Sequence, residues 1–169
     1  MEQALKLYSL SFTSRRTYIA AALFIAGNIV LPQIFHMVPR GGIIWLPIYF
    51  FTLVGAYKYG WRVGLLTAVL SPLANSALFG MPPASALAPI ILKSSLLAVA
   101  AGYAAARFRR ASLLLLAAVV LSYQLLGTLG EWAIEGDLYL AAQDFRVAIP
   151  GMLLQVFGGW ALINHVIRK

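Results

Sequence analysis

Six long apolar stretches with very few charged residues constrain the fold of this sequence more than any other feature. They cover residues 17–36, 43–57, 62–79, 84–106, 111–130 and 147–166. About 20 apolar residues let a helix cross a bilayer core of roughly 30 Å, whereas a membrane β-strand alternates apolar and polar positions over about ten residues. The stretches here are continuous and rich in Leu, Ala and Gly. They predict an all-α integral membrane protein, built as a bundle of six transmembrane helices.

The overall composition agrees with a membrane protein. Apolar residues make up 62% of the 169 residues and charged residues make up 11%, whereas soluble domains have about 45–50% and about 25%. A soluble domain of this size could not bury so much apolar surface, because small proteins have a large surface for their volume. Water-soluble enzymes and disordered chains are therefore excluded.

The basic residues predict the orientation of the chain. Ten of the thirteen fall on the side of the N-terminus: Lys6, Arg15, Arg16, Lys58, Arg62, Arg107, Arg109, Arg110, Arg168 and Lys169. The opposite side has Arg40 and Arg146 together with Glu131, Glu135, Asp137 and Asp144. Loops rich in Lys and Arg stay in the cytoplasm, so we expect both termini to be cytoplasmic and the protein to lie in the cell membrane. The net charge of +8 comes mostly from these ten residues on one side of the membrane. Because membrane topology explains this charge, no nucleic-acid partner is expected.

We divide the chain into two parts. Residues 1–16 are expected to be a cytoplasmic segment, which either lies along the membrane interface through Leu5, Tyr8 and Phe12 or forms a short polar leader. Residues 17–169 are expected to form the six-helix transmembrane domain that binds the substrate.

Lys93 is the only charged residue deep inside a predicted span. It lies about nine residues into the fourth stretch, which is roughly 13 Å from the outer end at 1.5 Å per residue. A lysine near the bilayer centre costs at least ~2.5–3.5 kcal/mol and usually faces a cavity or a partner. Lys93 could bind an anionic or carbonyl-bearing ligand, form an ion pair with Glu131, or extend its amine toward the outer surface.

Other polar residues gather in the outer half of the predicted bundle. Gln124, Thr128, Glu131 and Glu135 follow steps of four, three and four, which places them on one helix face. Each polar residue alone is explained by a hydrogen bond between helices, but together they indicate a pocket open to the outside. The loops at 32–42 and 79–85 could cover it or be ordinary connections. The candidate binding residues are Lys93, Gln124, Glu131, Gln155, Asn75, His36, Arg40 and Arg146.

The sequence has no recognisable catalytic motif. It contains no Walker A loop, no G-x-S-x-G and no H-E-x-x-H. With no cysteine and only two histidines, His36 and His165, on opposite sides of the membrane, we expect no metal site and no catalytic residues. We expect that the protein is not an enzyme.

The pattern resembles the S components of energy-coupling factor (ECF) transporters, which capture vitamins and related micronutrients. The resemblance covers the whole chain as architecture: six short helices with both termini inside, an A-x-x-x-A at Ala22 and Ala26, and outer loops rich in Gly and Pro. Its most similar parts are GAYKYGWRVG at residues 55–64, SPLAN at 71–75 and GMPP at 80–83.

This resemblance implies a transport function that depends on partners. Ala22 and Ala26 would dock on the transmembrane coupling subunit, and separate ATPase subunits would drive uptake. The transported substrate would be a vitamin-like or cofactor-like small molecule, bound without a covalent link near the outer ends of the helices. The alternative is a stand-alone small carrier or a scaffold subunit of another membrane complex.

Overall fold

The computed structural model describes residues 6–167, which form helices and contain no strand. Four helices are long and apolar enough to cross a membrane. They are α1 (Arg15–His36), α4 (Trp61–Phe79), α5 (Leu87–Phe108, preceded by a 3-10 turn at Ala84–Ala86) and α6 (Leu113–Glu135). The shorter helices are α2 (Gly41–Trp45), α3 (Phe50–Tyr59), α7 (Leu138–Ala141) and α8 (Gln143–Val147). The prediction of an all-α fold is confirmed for residues 6–167.

The last helix of the described residues is continuous and of mixed type, and we call it the C-terminal helix (residues 149–166). It begins as α9 (Ile149–Leu153), widens to a π-helix at Leu154–Gly158, returns to α10 (Gly159–Ala161) and widens again at Leu162–Val166. π-helical turns are rare and often occur at functional sites. The predicted sixth span, 147–166, corresponds to this helix. It is not among the four helices that meet the length and apolarity criteria.

The second predicted stretch, 43–57, is interrupted at Leu46. This residue has φ +47° and ψ +46°, and it separates α2 from the 3-10 turn Pro47–Tyr49 that leads into α3. The ring of Pro47 disfavours a right-handed helical conformation at the residue before it. A left-handed leucine costs roughly 1–2 kcal/mol, and the burial of the Leu46 side chain offsets this cost. As a consequence, α3 has only ten residues.

The core of the bundle surrounds α3, which packs against α1, α4 and α5. Every residue from 52 to 58 is buried. Small residues let the neighbouring helices approach closely: a Cβ on Gly102 of α5 would lie only 2.6 Å from the backbone nitrogen of Trp61 in α4. By contrast, α1 has a largely exposed side.

A buried polar network joins α1 to α3, α4 and α5. Pro32 lies inside α1 and has no N–H group, so the carbonyl of Asn28, four residues earlier, lacks its usual helical donor. The Nδ2 of Asn75 in α4 donates to this carbonyl at 2.9 Å. The Asn28 side chain in turn donates to Thr52 at 3.1 Å and accepts from the backbone N–H of Phe51 at 3.1 Å.

The two ends of the bundle differ in charge. The basic end holds Lys6, Lys58, Arg62, Arg107, Arg109 and Arg110, and the acidic end holds Glu131, Glu135, Asp137 and Asp144. At the basic end the N-terminal segment runs alongside the end of α3, where the N–H groups of Tyr8 and Leu10 donate to the carbonyls of Lys58 and Tyr59.

Residues 6–13 contain no helix. The helical face that Tyr8 and Phe12 would share is therefore absent over this range, where the backbone N–H groups of Tyr8 and Leu10 bond to the end of α3 instead. Leu5, Arg168 and Lys169 lie outside the described residues.

Candidate functional site

A cavity of about 520 Å³ opens at the acidic end of the bundle. This volume falls within the range of small-molecule sites, about 300–1,000 Å³. Its walls come from the end of α1, from the segment between α1 and α3, from α4, the loop before α5, α5 itself, α6 and α8. Most of the lining is apolar and rich in proline: Pro32, Val38, Pro39, Ile43, Leu46, Pro47, Ile48, Met81, Pro82, Pro83, Ala86, Pro89 and Ile90.

Lys93 lies at the floor of this cavity and is 3% exposed. Its Nζ contacts Glu131 Oε2 of α6 and lies 2.8 Å from Asp144 Oδ2 of α8. A buried ammonium needs such partners, because a single unpaired charge in the interior is strongly destabilising. Of the alternatives left open for Lys93, the structure has the ion pair with Glu131, and it adds a second carboxylate.

Gly127 of α6 makes room for the Lys93 side chain. A Cβ at this position would lie 2.5 Å from Lys93 Cγ, well inside the distance of ordinary van der Waals contact. Gly127 is one helical turn before Glu131, so the same face of α6 supplies both the space for the lysine stem and the carboxylate for its amine.

Five of the eight candidate binding residues line the cavity: His36, Arg40, Asn75, Lys93 and Glu131. They differ in depth, since Lys93 and Asn75 are buried whereas Arg40 is exposed at the rim. The N–H groups of Ile43 and Ile44 donate to the carbonyl of Arg40 at the start of α2. The structure thus brings together residues that are up to 95 positions apart in the sequence, as counted from His36 to Glu131.

Gln124 and Gln155 do not line the cavity but form a buried polar cluster next to it. The hydroxyl of Tyr123 donates to Gln155 Oε1 at 3.0 Å and accepts from Gln124 Nε2 at 3.0 Å. Within residues 6–167, Gln124 Oε1 and Gln155 Nε2 have no hydrogen-bond partner. The Tyr123 ring packs against Tyr49, with ring centroids 5.6 Å apart, and Tyr49 is part of the cavity wall.

Arg146 also lies outside the cavity lining. It is exposed, its Nη2 donates to the carbonyl of Tyr139 at 2.5 Å, and its guanidinium lies 3.5 Å from the centre of the Tyr139 ring. These contacts join α7 to α8 and so help to place Asp144. Arg146 therefore helps to hold α8 against α7.

Sequence reasoning did not single out Asp144 or Tyr49 as site residues. In the sequence, Asp144 is one of the charges of the acidic loop. Its local sequence does not show that it is buried, whereas in the structure it is only 8% exposed. The position of Asp144 in the sequence could have indicated its role. The sixth predicted stretch begins at residue 147, three residues after Asp144, so Asp144 has to lie near the outer end of the bundle.

Ala22 and Ala26 are both exposed on α1. Large apolar side chains on the same helix are also exposed, among them Tyr18, Leu23 and Val30. Small residues four apart let another helix approach the backbone closely. The exposure of both alanines shows that neither is packed in the core formed by residues 6–167.

Among residues 6–167, no group of three or more His, Cys, Asp or Glu side chains is placed to hold a metal ion. That the protein binds no metal stays a prediction.

Comparisons with protein-family models, with curated proteins and with solved structures find no match to this chain.

Proposed function

We propose that this protein is a membrane-embedded subunit that captures a vitamin-like or cofactor-like small molecule for uptake, as an S component of an ECF-type transporter does. The observation that carries the proposal is the cavity of about 520 Å³, which opens at one end of an apolar helical bundle and has ionised groups only at its floor and rim. We assign no catalytic role to any residue.

In this proposal the chain crosses the membrane six times. The four long helices account for four crossings, and α3 with the turn before it and the C-terminal helix account for two more. The cavity then faces outward and the basic end faces the cytoplasm, as the distribution of Lys and Arg predicts. Both termini are cytoplasmic, and the membrane is the cell membrane.

The exposed face of α1 is the docking surface for a transmembrane coupling subunit in this proposal. Ala22 and Ala26 supply the close approach and the flanking apolar side chains supply contact area. Since the chain has no nucleotide-binding motif, ATP hydrolysis is assigned to separate ATPase subunits.

Native mass spectrometry of the protein purified from membranes in mild detergent tests capture. We expect a stoichiometric, releasable adduct of cofactor size. The matched variants are Ala86→Trp, which adds a bulky ring at the cavity wall, and Ala22→Trp, which places the same side chain outside the cavity. We expect Ala86→Trp to lose the adduct and Ala22→Trp to keep it.

Two outcomes would contradict the proposal. Wild-type protein without any adduct, even after incubation with a panel of vitamins, would favour a scaffold subunit of another complex. An adduct with transport activity in vesicles that contain this chain alone would favour a stand-alone carrier. Docking is tested by Ala22→Trp with Ala26→Trp, which we expect to leave the adduct unchanged and to abolish co-purification of partner subunits.

A further inference from the structure

The charges of the cavity restrict the chemistry of its ligand, and this step rests on the proposed function. Two carboxylates and one ammonium lie at the floor, so the buried part of the site carries a net charge of −1. The remaining guanidinium, that of Arg40, is exposed at the rim. Water screens an exposed charge far more than a buried one, so the negative floor dominates the field on a bound ligand.

Lys93 is not free to bind an anion. Its Nζ already contacts both Glu131 and Asp144, and a ligand carboxylate or phosphate at this nitrogen would also lie next to those two negative charges. A like charge close by in a partly buried site costs several kcal/mol. Of the alternatives stated for Lys93, the binding of an anionic ligand therefore conflicts with the geometry.

The carboxylates keep capacity to accept hydrogen bonds. Within the described part of the chain, Lys93 is the only side chain that forms an ion pair or a hydrogen bond with the carboxylate of Glu131 or Asp144, and it meets one oxygen of each. An ionised carboxylate has two oxygens and about four lone-pair positions. The side chain of Glu131 is 20% exposed, and both residues line the cavity.

We propose that the ligand is an apolar or aromatic nitrogen heterocycle with a cationic or N–H-donating edge, and that Glu131, assisted by Asp144, accepts that edge at the cavity floor. The proline-rich walls and Tyr49 surround the body of the ligand. Because Glu131 Oε2 is buried against Lys93, the edge of the ligand would bond to the other oxygen of Glu131, and a charge-assisted hydrogen bond of this kind is about twice as strong as one between neutral groups.

A matched pair of probes tests the charge preference. 2-Aminobenzimidazole presents a cyclic guanidinium-like edge, and benzimidazole-2-carboxylate carries an acid on the same ring system. Binding to the full-length protein in detergent is measured by isothermal titration calorimetry. We expect the amine to bind at least tenfold more tightly than the acid. Equal binding, or preference for the acid, would overturn the inference.

Two variants on α6 provide the second arm. Glu131→Gln keeps the shape and leaves Lys93 paired with Asp144, so the fold is retained while the net charge of the floor becomes zero. Glu135→Gln removes the same charge one turn further along, at an exposed position outside the cavity. We expect a loss of at least tenfold in amine affinity for Glu131→Gln and less than twofold for Glu135→Gln. Unchanged binding in Glu131→Gln would overturn the assignment.

Failure of this inference is distinguishable from failure of the proposed function. If an adduct co-purifies with the protein and proves to be an acid without N–H donors, capture stands and the assigned ligand chemistry is wrong. If neither probe binds, the assigned ligand chemistry is also wrong, and the adduct measurement alone decides the proposed function.

Discussion

The replacement of Lys93 by methionine tests whether its ammonium holds the two carboxylates at the cavity floor. Glu131 and Asp144 both contact the same nitrogen, so their nearest oxygens lie within about 5 Å of each other; two such charges repel by roughly 3 kcal/mol at an effective dielectric constant of about 20. Methionine keeps the length and apolar character of the lysine stem but removes the charge. We expect Lys93→Met to lower the free energy of unfolding by about 3 kcal/mol, in line with the loss of one partner from a buried ion pair.

A second substitution separates repulsion from the loss of packing. In Lys93→Met with Asp144→Asn, only one of the two carboxylates remains, and we expect at least half of the lost stability to return. Lys93→Met with Glu135→Gln is the control, because Glu135 is exposed and does not contact Lys93. The assay is chemical unfolding in detergent micelles, followed by tryptophan fluorescence. If the Asp144 substitution restores no more stability than the Glu135 substitution, charge compensation at the floor is refuted.

The same variants also decide what Lys93 does for the ligand. If the lysine contacts the ligand, affinity stays low in the restored protein. If it only positions Glu131, affinity for the amine probe returns together with stability. Ligand binding is measured by native mass spectrometry of the adduct and by the calorimetric titration, and stability is measured by the unfolding assay.

Three further predictions concern stability, each measured by unfolding in the same detergent. Asn75→Leu should lower the free energy of unfolding by about 1–3 kcal/mol because the Asn28 carbonyl loses its donor; in the Pro32→Ala background, where residue 32 has an N–H, the loss should be smaller, and equal losses would refute this explanation. Gly127→Val should destabilise by about 1–3 kcal/mol because its side chain meets Lys93 Cγ, and unchanged stability would show that the lysine stem can move. Lys58→Met should raise stability by about 1 kcal/mol because the buried Lys58 Nζ has no hydrogen-bond partner in residues 6–167 and faces the Tyr8 ring at 5.7 Å, and a decrease would show that the cation–π contact with Tyr8 outweighs the cost of burying the charge.

The apolar stretches were a good guide to the long helices. The predicted stretch 17–36 corresponds to α1 (Arg15–His36), and 62–79 corresponds to α4 (Trp61–Phe79). For α6, hydropathy placed the end at residue 130, whereas the helix continues to Glu135 and stops at Gly136, which has φ +73°. Polar residues end an apolar stretch but do not end a helix, which requires a backbone signal such as a left-handed glycine.

The second stretch shows what hydropathy cannot detect. Residues 43–57 are apolar apart from Thr52, yet the helix is interrupted at Leu46 because of the proline that follows. Pro32 and Pro72, by contrast, lie inside α1 and α4 without ending them. The difference lies in the surroundings: Asn75 supplies a hydrogen bond to the Asn28 carbonyl that Pro32 leaves free, and Asn75 is 47 residues away from Asn28 in the sequence.

The site shows the same division between what is local and what depends on the fold. Gln124 and Glu131 share one predicted face of α6, and each has a polar partner in the structure. They lie seven residues apart, or about 10 Å along the helix axis, so they meet different neighbours: Gln124 bonds to Tyr123, and Glu131 contacts Lys93. Periodicity assigned the face correctly, but the role of each side chain depends on which element packs at its depth. Asp144 makes this clearest, because its carboxylate completes the site only after α7 and α8 have folded back over the bundle.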